Sequence, residues 1–243
     1  GISINALPEN TTYRLNRGGI DFDGCQINVS YEDGFACVVP VRTYNKDFTL
    51  DYNNPFDVVG NETVTITYFE YTASFEVTVT ESDIRDGVLV GYYGDSQDIV
   101  IPDGTIEIRQ FVFYDMDYIK SVTFPESLKI IGASAFEDCD NLTEITFNYD
   151  LDKIDIRSFY SCDALKTITI NSNIDFVGSG AFAWCNSLIF VTGTGSITTL
   201  DGHTFNDCDN LVNFDFPVTG EIGMNAFSGC ALLKTVDLSS CSG

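Results

Sequence analysis

Histidine is nearly missing from this 243-residue chain, where His203 stands alone. A single histidine cannot complete a zinc finger of two cysteines and two histidines. Positive charge is scarce as well. Lys plus Arg number 12 against 36 Asp plus Glu, a formal net charge of −24. Such a deficit disfavours nucleic acid and anionic lipid, both of which are attracted by positive potential. No apolar run approaches the roughly 20 residues a spanning helix needs, so the sequence shows no direct membrane span. Phosphate-cradling loops, a Gly-x-Ser-x-Gly elbow and a His-Glu-x-x-His helix are absent too. The expectation is a non-catalytic protein without cofactor or metal.

Acid is what the chain has in plenty. Asp21/Asp23, Asp115/Asp117, Asp138/Asp140 and Asp207/Asp209 are close pairs. A glycosidase needs two carboxylates on opposite sides of a sugar cleft, which neighbours on one loop do not supply. Hard oxygen ligands suit calcium, yet no EF-hand spacing accompanies them. Solvated surface acids and calcium loops both stay open.

Hydrophobic residues make up 44% of the chain and aromatics 13%, enough to bury a core. Residues 1–82 read as short strands. In TVTITYFEYTASFEVTVT, Val64, Ile66 and Tyr68 share one face before the chain returns through Phe75, Val77 and Val79. INVSYEDGFACVVPV signals another hairpin at Asp33-Gly34. A two-residue turn there would set Ser30 opposite Cys37. Strands with turn signals between them suggest a β-sandwich, although the Cys…Trp…Cys hallmark of antibody domains is absent. The stretches LPENTTYRLNRGGIDFDGCQINVSYEDG and GNETVTITYFEYTASFEVTVTE resemble the bacterial Ig-like domains of surface proteins.

From residue 83 the pattern becomes a repeat. Phe113, Phe136, Phe159, Phe182, Phe205 and Phe227 follow one another at 23, 23, 23, 23 and 22 residues. That period lies in the range of leucine-rich repeats, and Leu142-x-x-Ile145-x-Phe147 has their strand signature. Ile99, Ile101 and Pro102 extend the register upstream, giving seven expected stacked strands. The preceding DGVLVGYYGDSQ reads as an N-terminal cap.

The motif Ile-Gly-x-x-Ala-Phe-x-x-Cys-x-x-Leu-x-x-Ile-x-apolar is met by Ile131, Gly132, Ala135, Phe136, Cys139, Leu142, Ile145 and Phe147. These copies resemble the BspA-type, or Treponema pallidum-type, leucine-rich repeats over about 83–243. The expected fold is therefore mainly β: an Ig-like β-sandwich over 1–82, then a right-handed solenoid with a parallel β-sheet, about six 23-residue repeats plus the cap. The resemblance implies an exported surface protein, bacterial or sometimes protist, often linked to adhesion.

Cys139, Cys162, Cys185, Cys208 and Cys230 share one motif column, which begins with Met116. Met and Cys interchange where a site wants a soft apolar group. A metal array would need several ligands per ion, and each coil offers one thiol. Adjacent coils are close enough for a disulfide, but five members cannot all pair. Buried free thiols are the expectation, with Cys25 and Cys37 also free and Cys241 the exposed one.

What remains for function is surface. The residue between the last two buried strand positions should face solvent on the concave sheet. That column is Val100, Thr123, Thr146, Thr169, Thr192, Asp215 and Asp237, with Phe190 the odd member of its neighbour. β-Propensity alone accounts for stacked threonines; a ligand face is the other reading. Trp184 sits in a column otherwise of Asp, Ser and Gly, and is expected to be exposed. The candidate ligand contacts are Thr146, Thr169, Phe190, Thr192, Asp215 and Trp184. The partner expected is an extracellular protein or glycan at the bacterial cell surface. A structural spacer in a larger surface protein, or an accessory domain of a glycan-processing enzyme, are the alternatives. The last repeat stops soon after KTVDL, so the chain is expected to continue past Gly243 or be covered there by another subunit.

Overall fold

The computed structural model describes residues 2–7, 12–14, 26–30, 36–40, 48–51, 60–68, 70–214, 216–234 and 236. The chain divides into two compact units, Gly1–Ser82 and Asp83–Gly243. Among the described residues there is no helix.

The first unit carries two sheets. Ile2–Ala6, Gln26–Ser30 and Ala36–Pro40 form one, antiparallel throughout. The other runs in the order Thr12–Arg14, Tyr71–Thr80, Gly60–Tyr68, Phe48–Asp51. Its long hairpin keeps the alternation expected from sequence: Val64 faces Phe75 and Ile66 faces Ala73. Val64, Ile66, Phe75 and Val77 are buried, while Thr63, Thr65 and Glu76 are not. Cys37 pairs with Val29, and Ser30 with Ala36. The observed register thus differs by one residue from the one a two-residue turn at Asp33-Gly34 would impose; residues 31–35 lie outside the described residues. Cys25 and Cys241 lie outside the described residues, as does Phe69.

The second unit is a stack of coils, each contributing to three sides. One side comprises Asp98–Val100 paired with Ser121–Thr123, then Glu144–Phe147, Thr167–Ile170, Phe190–Thr192 and Asn213–Phe214, all parallel. Six strands form here among the described residues; of the expected seventh, Val236 is bridged to Phe214, and its neighbours lie outside the described residues. The ladder is also interrupted between Ser121–Thr123 and Glu144–Phe147.

A second side, which the repeat motif does not announce, is a seven-stranded sheet. It runs from the Ser82–Arg85/Val88–Tyr92 hairpin through Glu107–Ile108, Ile130–Ile131, Leu151–Ile154 and Asn173–Val177 to Ser196–Leu200. Asp86 and Gly87 turn that first hairpin with φ of 51° and 79°, the pair of left-handed residues that a tight hairpin needs. Beyond Leu200 the sheet decays to two bridges, Ile197–Val218 and Leu200–Ile222. These offsets differ by one residue. The last coil is two residues short of the 23-residue period at Val218 and has one more residue than its neighbour between the two bridges, and that mismatch breaks continuous pairing.

Gly132 shows why the motif has its glycine. A Cβ there would come within 2.7 Å of the Ile108 carbonyl and the Gln110 amide in the preceding coil. Only a residue without a side chain permits that approach.

The third side holds the phenylalanines. Phe113, Phe136, Phe159, Phe182, Phe205 and Phe227 stack nearly parallel, with centroids 4.7, 5.0, 5.3, 5.4 and 5.6 Å apart. The spacing matches the separation of adjacent strands. Tyr92 covers the first ring at 5.3 Å. All but Phe227 are fully buried.

The cysteine column completes this side, and the thiols are free. Each does more than fill space. Cys139 Sγ donates to the Phe113 carbonyl at 3.2 Å, and Cys162, Cys185, Cys208 and Cys230 repeat the bond to Phe136, Phe159, Phe182 and Phe205. An interior carbonyl left unpaired would be costly, and the next coil's thiol supplies the donor. Met116 begins the column where no preceding phenylalanine needs one. Burial pushes the Cys139 and Cys185 thiols up to about 12 and the half-buried Cys230 to about 11, while Cys162 and Cys208 also rise. Alkylation read by mass spectrometry should therefore leave Cys139, Cys162, Cys185 and Cys208 unlabelled in the native protein. All four should label after unfolding without reductant. Ready labelling in the native state would contradict the column.

Candidate functional site

The strand side brings several of the candidate residues together. Thr146 lies across from Thr169, and Thr169 across from Thr192. The inward neighbours Ile145, Ile168 and Val191 are buried, so the threonines point outward by the strand's alternation. Phe190 is two residues before Thr192 on the same face, between Thr167 and Asn213, and is 46% exposed. Asp215 lies outside the described residues.

This side also has an opening that the sequence did not suggest. Where the ladder is interrupted, a cleft of about 320 Å³ is lined by Ser121, Thr123, Phe124, Glu144, Thr146 and Asn148 among others. Ser121 Oγ is engaged with Asp98 Oδ1 at 2.6 Å. The cleft offers hydroxyls, a carboxylate and an amide around an apolar floor.

Trp184 belongs elsewhere. It lies on the turn side, so the structure does not bring it to the threonine face. Two columns there take left-handed backbone in every coil. One is Phe111, Ser134, Arg157, Gly180, His203 and Asn225, with φ from 53° to 63°. The other is Asp115, Asp138, Ser161, Trp184, Asp207 and Gly229, with φ from 56° to 80°. The geometry lets each such amide reach the next coil: Asp138 N meets Tyr160 O at 2.9 Å, and Trp184 N meets Asn206 O at 2.9 Å. Gly, Asn and Asp suit this conformation; for other residues it costs about 1–2 kcal/mol. Phe111, Arg157, His203, Trp184 and the two serines depart from that set, and of these the large aromatics Phe111 and Trp184 are exposed, at 56% and 46%.

Beside Trp184 is a second cleft, of about 260 Å³. Its walls come from three consecutive coils: Arg157 and Tyr160, then Trp184, then His203 and Asn206. Its floor exists because the middle coil has Gly180 and Ala183 where its neighbours carry long side chains. The Arg157 guanidinium lies 4.7 Å from the Tyr160 ring centroid and 4.0 Å from Glu137 Oε1. Sequence reading missed Arg157, Tyr160 and His203. Comparison down the columns, in place of along the motif, would have found them.

Of the acidic pairs, Asp21/Asp23 lies outside the described residues, and Asp140 has Asp117, Asp138 and Asp163 near it. Burial raises the Asp140 carboxyl above its ordinary value, with Asp117 and Asp163 above and below adding repulsion. Among the described residues, no group of three His, Cys, Asp or Glu is placed to hold a metal. No helix among them is long and apolar enough to cross a membrane.

Among curated proteins, none matches the chain. Solved structures do. A leucine-rich repeat protein of T. pallidum is 23% identical, over 60% of this chain and 82% of that one, with a TM-score of 0.46. A leucine-rich cell surface protein of Faecalibacterium prausnitzii is 20% identical, over 81% of this chain and 54% of that one, at 0.40. A leucine-rich repeat protein of Bacteroides ovatus is 23% identical over 57% and 48%, at 0.32. The chain thus spans about half the length of the last two. The BspA-type leucine-rich repeat family itself matches residues 91–212 and 177–242 in six copies. With that match over most of the second unit, and with the stacked coils that its motif requires, the chain belongs to the BspA-type leucine-rich repeat family.

Proposed function

We propose that this is a non-catalytic, exported cell-surface protein that binds an extracellular protein or glycan through the strand side of its solenoid. One observation carries the reading: Thr146, Thr169 and Thr192 stand in register on consecutive coils, beside the exposed ring of Phe190. A ligand laid across the coils meets a donor and acceptor at each step. Many such weak contacts suit an extended partner better than a small metabolite, which takes a deep pocket. Adhesion is the use that fits such a face at a bacterial surface. We further propose that residues 1–82 are an Ig-like module; their three- and four-stranded sheets support it. A spacer role would need no exposed Phe190.

The test is a binding screen of the whole chain against matrix proteins and glycans. With a ligand in hand, Phe190→Ala and Thr169→Arg should each weaken binding about tenfold or more. Their melting curves should match the parent's. Unchanged affinity in both variants would show that the partner uses another surface.

A further inference from the structure

The cleft beside Trp184 is independent of the strand side and has its own chemistry. Trp184 offers a flat apolar face at the surface, and Tyr160 and Ile156 add apolar area beside it. Around that platform stand polar edges: the Arg157 guanidinium, the Asn206 side chain and the His203 ring. Trp184 keeps a left-handed backbone that Asp138 and Asp207 hold more readily, while its ring stays 46% exposed. A bulky side chain in that backbone carries strain, and a large aromatic left this open beside a cleft points to use.

A flat apolar face ringed by hydrogen-bonding groups matches a pyranose, whose C–H face is apolar and whose rim is hydroxyl. The size agrees. At about 260 Å³ the cleft is smaller than a drug-sized ligand's pocket but adequate for one sugar ring. Charge selects among sugars. Arg157 already faces Glu137, and a net charge of −24 repels polyanions at a distance. We infer that this cleft is a carbohydrate subsite that takes one neutral pyranose residue of a glycan. The notch is specific to the middle coil, because Gly180 and Ala183 replace the Arg157 and Tyr160 of the coil before. A side chain at either position would fill it.

Trp184 is the single tryptophan of the chain, so its fluorescence reports on the cleft directly. The whole protein is titrated with neutral gluco-, manno- and galacto-oligosaccharides, with an acidic polysaccharide and proline-rich peptides as the other arms. The expected result is a saturable change in emission with at least one neutral oligosaccharide, with Kd on the order of 1 mM for a site of this size. Ala183→Glu should weaken that titration about tenfold or more, because its side chain occupies the notch. Glu137 stands in the same column, and Trp184 remains as reporter. If Ala183→Glu melts below the parent, Trp184→Asp decides instead, with binding measured by calorimetry. It restores the residue of Asp138 and Asp207, so it should lose the saccharide while melting no lower. Phe190→Ala, on the strand side, should leave the titration unchanged. The inference is overturned if no neutral saccharide up to about 50 mM alters the emission. It is equally overturned if Trp184→Asp binds as the parent does, or if only the acidic polysaccharide or the peptides bind.

Discussion

Raising the pH above 9 is expected to destabilise the solenoid steeply. The direction follows from proton counting. The ordinary thiol value is 9.0, and burial raises it to about 12 at Cys139 and Cys185 and raises it at Cys162 and Cys208 also. Between those limits the folded protein holds protons that the unfolded chain releases. Stability is then fully present below about 9 and is lost as pH climbs toward the folded values. Each thiol contributes up to about 1.4 kcal/mol per pH unit in that window. Four together reach on the order of 5 kcal/mol per unit, comparable with the whole stability of an ordinary domain. Urea melts from pH 7 to 11 measure the slope. Tyrosine and lysine also titrate there, so Cys162→Ala isolates the thiol share by its shallower slope. A variant with the parent's slope would show that the buried column does not govern alkaline unfolding.

Phe159→Ala should be the most damaging single truncation in the middle of the stack. Its ring lies 5.0 Å from Phe136, 5.3 Å from Phe182 and, edge-on, 6.2 Å from Phe147. It is fully buried, and its carbonyl accepts from Cys185. Removing a buried phenyl typically costs about 3–5 kcal/mol, part transfer and part cavity. For a unit of this size that lowers the melting temperature by roughly 6–20 °C. Because coils hold one another only through nearest neighbours, hydrogen exchange should quicken in the adjacent repeats as well. A melting temperature equal to the parent's would contradict the stacking.

The contrast between what could and could not be read beforehand has physical causes. Phe159 and Cys162 were legible because a solenoid presents the same environment every 23 residues, and chemistry recurs with environment. The second sheet was not. Leu151, Ile174 and Ile197 lie between motif copies, and Val218 falls two residues short of their 23-residue period. Exposure of Trp184 was legible from the small and acidic residues that share its column. Its left-handed backbone is the cause of that column's composition, which sequence alone presented only as polarity. The two clefts were hidden for a different reason. One depends on a missing stretch of hydrogen bonding between adjacent strands. The other depends on side chains that Gly180 and Ala183 lack, set against Tyr160, Arg157 and His203 from neighbouring coils. Motif reading weighs what each copy contains, whereas a cleft is made of what one copy omits. The register of the strands flanking Asp33-Gly34 differs by one residue from the expected one, because a favoured turn dipeptide does not by itself fix how many residues connect two strands.

The bond from each cysteine to the phenylalanine carbonyl of the coil before it makes the interior modular as well as stable. Every internal coil brings its own donor for the neighbour behind and its own acceptor for the neighbour ahead. Removing one whole 23-residue period therefore rejoins thiol to carbonyl across the cut, and duplicating one inserts a matched pair. Length can change by unequal recombination between copies without leaving an orphaned polar group in the core. Such a chain can lengthen or shorten its reach over generations while its interior chemistry stays constant.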